Sequence, residues 1–496
     1  MPPIIAEHKD GCMVKACPTI VWSVHVLAPY ALVKNLDAEK DDVDNDNSYF
    51  VTTLQNGERM ATEWNPELRL GIKRAVDTIP NVLRQEWHYI GLESVDQVLD
   101  SIIVAEQDHD FEGRPMPNHG SNNINQKLNK SRLRFDDSNI LIKAVVLNFT
   151  DGMETDGWPG ITVIRGLEKR HLAFTGANST LYYLDSDKAL IKRHLIKSNT
   201  PTPGYCDVYS RAEKAANPQL SAQENGERDD DESEEEKMVN KAIVLEGLSK
   251  LRFPLLVKPA NSSSSRGIST KSVVDSPEEA YERAMETKRV WGPVYVEEYI
   301  TGREYTVLVS GSLETGIRVY KVLERVFRSQ IPERERMLTH EMKWGDNNYG
   351  TDESVKTASW WMQICSDADQ KRLQPMAEDI YASFGGNGYC RMDLREDHRT
   401  GQVFVVDVNA NCSIDEDEDC AMGKILKASG LTLGQFFSIL MEDAILIRDD
   451  LLTKTNNNHA SGLKSLVAFT MNGMKHADSV SAANVGTVNK AIRVQA

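Results

Sequence analysis

Several things the 496-residue chain lacks narrow what it can be. Its seven cysteines (Cys12, Cys17, Cys206, Cys365, Cys390, Cys412 and Cys420) are scattered, odd in number and form no CxxC pair. That argues against a disulfide framework or a cysteine zinc site, and a reduced, cytoplasmic protein is expected. No apolar run reaches the roughly 20 residues needed to cross a bilayer. The most apolar early stretch, Cys17 to Val33, is interrupted by His25 and Pro29. With neither a basic leader nor a small-residue cleavage pattern, it reads as a core strand and helix rather than a signal peptide. Net positive charge is lacking too. The formal charge is −17, so neither a nucleic-acid nor a membrane partner is expected, and any phosphate must be met by a few placed cations.

What is present is a chain long enough for roughly two to four domains. Its hydrophobic (40%) and charged (26%) fractions are ordinary. Residues 1 to 175 mix short apolar runs, Ile20 to Val26 and Ile140 to Leu147, with helix-like polar stretches, the pattern of an α/β unit. Asp37 to Asn47, acidic and Asn-rich, reads as an exposed loop. A helix is predicted from Ser186 or Asp187, with Leu190, Ile191 and Leu195 on its apolar side and Asn199-Thr200-Pro201 as its stop. Asn217 to Lys237 is a self-repelling acidic block, read as a disordered surface insertion. Short strands follow at Phe253 to Lys258, Val294 to Ile300, Glu304 to Ser310 and Ile317 to Val326. Asp367 to Phe384 reads as an amphipathic helix, Tyr389 to Leu394 and Val403 to Val408 as strands, and Cys420 to Ser429 and Thr432 to Ile447 as helices. Beyond about Thr453 the chain is rich in Asn, Ser and Ala, with only Leu463 to Met471 apolar enough to dock.

Three segments carry chemistry. Lys258-Pro-Ala-Asn-Ser-Ser-Ser-Ser-Arg-Gly267 follows an apolar strand and offers small side chains, a turning backbone and a cation, as a phosphate chain requires. It is not a Walker A loop, because the lysine precedes the loop, and by composition alone it is equally a flexible serine tract. In Val294 to Ile300 the Glu297-Glu298 pair, taken by itself, reads as a solvated strand end. The sharpest signal is Gly388-Tyr-Cys-Arg391-Met-Asp393-Leu with Val403-Phe-Val-Val-Asp407-Val-Asn409. Period-2 alternation puts Arg391 and Asp393 on one strand face and Asp407 and Asn409 on another. A hairpin through Arg395 to Gln402 would bring all four together. Such oxygen ligands suit Mg2+, and the arginine could stabilise negative charge developing on oxygen.

In this order the segments resemble the D-alanine–D-alanine ligase branch of the ATP-grasp superfamily, from about Asn148 to Leu440. Leu172-Ala-Phe-Thr-Gly176 is similar to the end of the family's first domain, and Asp187-Lys188 followed by Thr200-Pro-Thr-Pro to its Asp-Lys pair and helix. The resemblance implies an α/β (α+β) ATP-grasp fold of three consecutive α/β domains, 1–175, 176–310 (with the insertion 217–237) and 311–452, then a partly disordered tail, 453–496. ATP is expected between the central and C-terminal domains. The implied ATP contacts are Lys188, Lys258, Ser262, Ser263, Ser265, Glu297, Glu298, Tyr299, Ile300, the ribose-binding Glu304, and Lys343 in the omega-loop-like His340-Glu-Met-Lys-Trp344. Asp393, Asp407 and Asn409 match the positions of metal ligands for one or two Mg2+ ions, with Mn2+ as a substitute. Arg391, Lys343 and Ser264 match catalytic positions, the serine in a loop that closes over the site. The implied reaction joins a small-molecule carboxylate to an amine through an acyl phosphate, releasing ADP and phosphate; a homodimer is compatible with it.

The chain also departs from the family. Ile20-Val-Trp-Ser-Val-His25 has neither the glycine pair nor the glutamate of the usual first substrate loop. Aspartate, shorter by one methylene, stands at 407 in place of glutamate, which weakens the case for chelating two ions and leaves one feasible. The Ser-Pro-Gly turn becomes Asn411-Cys412-Ser413, leaving Asn411 and Ser413 as candidate substrate contacts. Asp415 to Asp419 follows, read as a solvated acidic rim or else as a recruiter of cationic amines. The rival readings are an ATP-grasp enzyme with a non-amine acceptor and a non-catalytic nucleotide-binding regulator.

Overall fold

The structure is a computed structural model that describes residues 19–32, 50–53, 59–62, 66–107, 140–154, 157–208, 234–262, 265–344, 359–414 and 420–460. The expected loop 37–47, most of the acidic block 217–237, Ser263, Ser264, the acidic run 415–419 and the apolar stretch 463–471 lie outside the described residues.

The N-terminal part comprises β1 (Thr19–Pro29), β2 (Ala31–Leu32), β3 (Phe50–Thr53), β4 (Arg59–Thr62), α1 (Pro66–Asp77), β5 (Val82–Ile90), α2 (Val95–Gln107), β6 (Ile140–Asn148), α3 (Ile161–Lys169) and α4 (Ser179–Asp185). The two apolar runs of the sequence, β1 and β6, are parallel neighbours in a sheet of order β5-β1-β6. Both faces are covered, as a parallel sheet requires: Leu27 and Ile90 pack on α2 and α3, and Val24, Val26 and Ala28 pack with α1. Among the described residues of this stretch there is strand alone, where a strand and a helix are expected. Ala31 and Leu32 instead pair with Ala61 and Met60 of β4, which satisfies their backbone groups in a small sheet, β2-β4-β3.

Next come α5 (Lys188–Lys197), β7 (Tyr205–Asp207), α6 (Glu234–Ser249), β8 (Leu255–Pro259), β9 (Val273–Val274), α7 (Pro277–Trp291) and β10 (Val294–Glu298). The four strands form an antiparallel sheet, β7-β10-β8-β9, packed on α6 and α7 through Val257, Val296, Leu248 and Ala284. Helix α5 begins where expected, with Asp187 Oδ1 accepting the Ala189 N–H at 2.8 Å. Helix α6 starts at Glu234, within the last residues of the acidic block.

The remainder is β11 (Gly302–Ser312), β12 (Gly316–Val319), β13 (Leu323–Phe327), α8 (His340–Trp344), β14 (Trp360–Ile364), α9 (Asp367–Ser383), β15 (Tyr389–Asp397), β16 (Val403–Ala410), α10 (Ala421–Ala428) and α11 (Leu433–Ala460). They build a sheet of order β14-β13-β11-β15-β16, with β12 also on β11. The single strand expected at 317–326 is two strands, because Gln370 takes the N–H and C=O of Val322 (3.0 and 2.8 Å) between them. One face of this sheet packs on α9, α4 and α5 through Val307, Met392, Leu373, Leu181 and Leu195. The other shares Leu308 and Tyr389 with Phe436 and Phe437 of α11 and with Val24 and Leu147 of the first sheet. Helix α11 runs past the expected end at Ile447 to Ala460; Asp449, paired with Lys143 of β6 at 2.9 Å, extends its contact with the first sheet. No single helix among the described residues is long and apolar enough to cross a membrane.

Gly388, at the turn into β15, has φ +81°, and a Cβ there would lie 1.8 Å from the Gly176 carbonyl oxygen. Gly388→Ala is therefore expected to destabilise the protein by about 3 kcal/mol or more. Denaturant unfolding measures this, and a loss below about 0.5 kcal/mol, the size of an ordinary surface change, contradicts the contact.

Candidate active site

The hairpin β15–β16 forms in the register that alternation implies. Arg391 lies opposite Asn409 and Asp393 opposite Asp407, so all four share one sheet face. Arg391 Nη2 is 3.6 Å from Asp393 Oδ2, and Lys188 Nζ from α5 reaches Asp407 Oδ1 at 2.7 Å. Burial opposes ionisation of Asp407, but Lys188 and Lys258 outweigh it and hold the carboxyl below its ordinary range. Lys188 likewise stays above its ordinary range despite burial, because of Asp407 and Asp185. Asp393 Oδ1 is buried and accepts no hydrogen bond from the described residues. A buried, unsatisfied carboxylate oxygen beside a second carboxylate and an amide oxygen is the donor set a hard divalent cation needs.

Facing this sheet is the smaller one. Lys258, near the end of β8, and Glu297 on β10 pair at 2.6 Å. The second Glu297 oxygen meets Lys192 at 2.6 Å, and Glu297 and Lys192 are both buried. Burial would raise the Glu297 carboxyl, yet the two ammoniums hold it below the usual range. The pair Glu297-Glu298 is thus not a solvated strand end: Glu298 Oε1 accepts the Arg252 N–H at 3.0 Å. Tyr299 and Ile300 are buried, and the Tyr299 N–H donates to the Pro254 carbonyl at 2.9 Å. Glu304 is engaged from both sides, by its register partners Arg325 of β13 and Arg395 of β15.

Lys343, on the short α8, is open to solvent on one side. Burial of its ammonium within the surrounding protein and the guanidiniums of Arg391 and Arg325 push its pKa down to about 8. Ser262 Oγ donates to the Arg266 carbonyl at 3.2 Å, and Ser265 and Gly267 both have left-handed backbone (φ +60° and +74°). Asn411 is buried: its Oδ1 accepts the Ala177 N–H at 2.7 Å and its Nδ2 donates to the Thr150 carbonyl at 3.2 Å, clamping the end of β16 to the preceding loops. Ser413 is exposed.

Two residues of this cluster were not singled out from the sequence. Lys192 is one turn beyond Lys188, and the i, i+4 spacing puts both on one face of α5, a signal that was available. Asp185 Oδ2 accepts the Ala410 N–H at 3.0 Å, and burial, with Lys188 opposing, raises its carboxyl to about 7. No local pattern reveals it.

Two antiparallel sheets, Lys258 and Glu297 on the smaller, Asp393 and Asp407 on the larger, and Lys188 and Lys192 on α5 beside them, make a cleft of the kind that grasps a nucleotide. The family model for the D-ala D-ala ligase C-terminus matches residues 228–442. The chain is 27% identical over 164 residues to the D-alanine--D-alanine ligase of Acinetobacter baylyi, covering 33% of this chain and 46% of that protein. To the enzyme of the same name from Pseudoalteromonas translucida it is 26% identical over 286 residues, covering 57% and 75%. The matched stretch thus spans about half the length of the first relative. The D-alanine-D-alanine ligase structure from Coxiella burnetii superposes at a TM-score of 0.47 with 16% identity, over 90% of this chain and 99% of that one. Over the matched residues the chain is similar to D-alanine–D-alanine ligases of the ATP-grasp type.

Removing the carboxylate between the two lysines tests the electrostatic frame. Glu297→Ala leaves two buried ammoniums without their shared counter-charge and is expected to cost about 3–5 kcal/mol in denaturant unfolding. A loss below about 1 kcal/mol, typical of an exposed pair, contradicts the bridge.

Proposed function

We propose that the protein is an ATP-dependent carboxylate–amine ligase that releases ADP and phosphate. The observation that carries the reading is the convergence of Arg391, Asp393, Asp407, Asn409 and Lys188 on one face, opposite Lys258 on the facing sheet. We assign ATP to the space between the sheets, with domains 1–175, 176 to about 301, and from Gly302 to 452. The second boundary is drawn before Gly302 because β11 pairs with β15 along its length.

In this reading Lys188 and Lys258 are held ready by Asp407 and Glu297, and nucleotide phosphates take over part of that pairing. Asp393, Asp407 and Asn409 would hold Mg2+, which when bound neutralises phosphate charge. The orphaned Asp393 Oδ1 supports that fit. Tyr299 and Ile300 border the adenine, and the serine loop 262–265 and Lys343 cover the phosphates. A substrate carboxylate oxygen attacks the γ-phosphorus and ADP leaves, giving an acyl phosphate. An amine then attacks the acyl carbon, the tetrahedral oxyanion is stabilised by Arg391, the amine proton is lost and phosphate departs. Closed loops keep water from the acyl phosphate. Neither substrate is specified beyond its class. The internal clamp made by Asn411 supports a structural part for that residue, leaving Ser413 as the more available contact.

Phosphate release assayed over a panel of amino acids and amines tests the reading. The expected result is release that requires both a carboxylate and an amine, and that falls by roughly 100-fold or more in Arg391→Ala and Asp393→Asn. ATP binding with no substrate-dependent release would favour a nucleotide-binding regulator. Lys343 gives a second test. Its ammonium is largely deprotonated above about pH 8, and nearby phosphates favour the charged form. ATP binding at about pH 9 should therefore take up close to one proton, and much less at about pH 6.5. Calorimetry in buffers of different ionisation enthalpy reads this, and Lys343→Met should abolish it; equal uptake in the variant contradicts the assignment.

A further inference from the structure

The first sheet carries a group of ligand-type side chains to which the proposed ligase chemistry assigns no part. His25 on β1 lies opposite Glu86 on β5, and Leu27 lies opposite His88. Alternation therefore puts His25, Glu86 and His88 on the face of Leu27 and Ile90, which packs on α2 and α3. The opposite face, with Val24 and Val26, shares a core with α11 and the large sheet. His25 is fully buried, while Glu86 and His88 are partly exposed.

The three side chains converge. His25 Nδ1 is 3.1 Å from His88 Nε2 and 3.7 Å from Glu86 Oε2, and His88 Nε2 is 4.0 Å from that same oxygen. A tetrahedral ion with its ligands at about 2.0–2.2 Å separates ligand atoms by roughly 3.3 Å, so each pair is within an ångström of coordinating spacing. A hydrogen bond between the two rings explains the first contact. It does not explain why Glu86 Oε2 approaches both rings. The other Glu86 oxygen is 3.5 Å from Arg84 Nη1, and Arg84 Nε donates to Ser23 Oγ at 2.7 Å, so the carboxylate is oriented from behind in the way that outer residues orient metal ligands.

We propose that His25 Nδ1, His88 Nε2 and Glu86 Oε2 form a three-ligand site for a divalent transition metal of the zinc class, with the fourth position left to water. Two imidazoles select such an ion over Mg2+ or Ca2+, which prefer oxygen. Burial, and then the neighbouring His25, push His88 down to about 4, so its ring is neutral and able to ligate near neutral pH. The ion would join β1 to β5, the centre of the first sheet to its edge. The inference does not depend on the ligase reading.

The test uses the full chain, stripped of metal with a chelator and titrated with Zn2+ alone against a chromogenic competitor. One stoichiometric ion is expected, with affinity reduced at least about 10-fold in His88→Ala and in Glu86→Gln. It should be retained in Asp393→Asn, which alters the cleft instead. Both main variants change partly exposed side chains, and their unfolding midpoints in chelator, compared with that of the parent chain, verify folding. Substituted Co2+ should give tetrahedral visible absorption that His88→Ala removes. Zn2+ binding unchanged in His88→Ala and Glu86→Gln, lost instead in Asp393→Asn, or absent at stoichiometric levels would overturn the proposal.

Discussion

A carboxylate held between two ammonium groups and sealed from water is the constraint around which the cleft is arranged. Glu297 meets Lys258 on the neighbouring strand and Lys192 on α5. Lys192 also donates to Thr202 Oγ1, which in turn donates to the Val405 carbonyl of β16. One ionic contact therefore reaches, through a hydroxyl, from the small sheet to the large one. A buried charge left alone would be far more costly than the ordering of these groups, so the two sheets and α5 are held in one relation. The pair Lys188–Asp407 repeats the logic one helical turn away.

The scaffold behind the cleft serves the same end. Helix α11 lies between the large sheet and the first sheet, with Phe436 and Phe437 in a core that both share. Asn411 fastens the end of β16 to the loops at Ala177 and Thr150, and Gly388 lets the start of β15 pass against Gly176. The hairpin bearing Arg391, Asp393, Asp407 and Asn409 is thus fixed at its open end, where Gly388 and Asn411 lie side by side, leaving its polar face to chemistry.

Much of this was legible in the sequence where the signal is local. The alternation in 388–394 and 403–409 predicts the shared face, and Asp187 predicts the start of α5. The misreadings occur where a distant group decides. Glu297 and Glu298 look like a wet strand end until Lys192, Lys258 and Arg252 are brought to them. Residues 317–326 look like one strand until Gln370, far along the chain, occupies the backbone groups of Val322. The stretch after Pro29 looks helical until β4 supplies a strand partner.

By itself, then, the sequence determined the order of elements around the cleft, the polar face of the hairpin and the presence of a lysine before a serine-rich segment, because each depends on neighbours a few residues apart. The tertiary structure alone decided which charges are paired. It placed Asp185 and Lys192 in the cleft, engaged Glu304 with Arg325 and Arg395, and assembled His25, Glu86 and His88 across two strands. Those outcomes depend on groups tens to hundreds of residues apart meeting in a medium of low polarity, where pairing is obligatory and no local pattern specifies the partner.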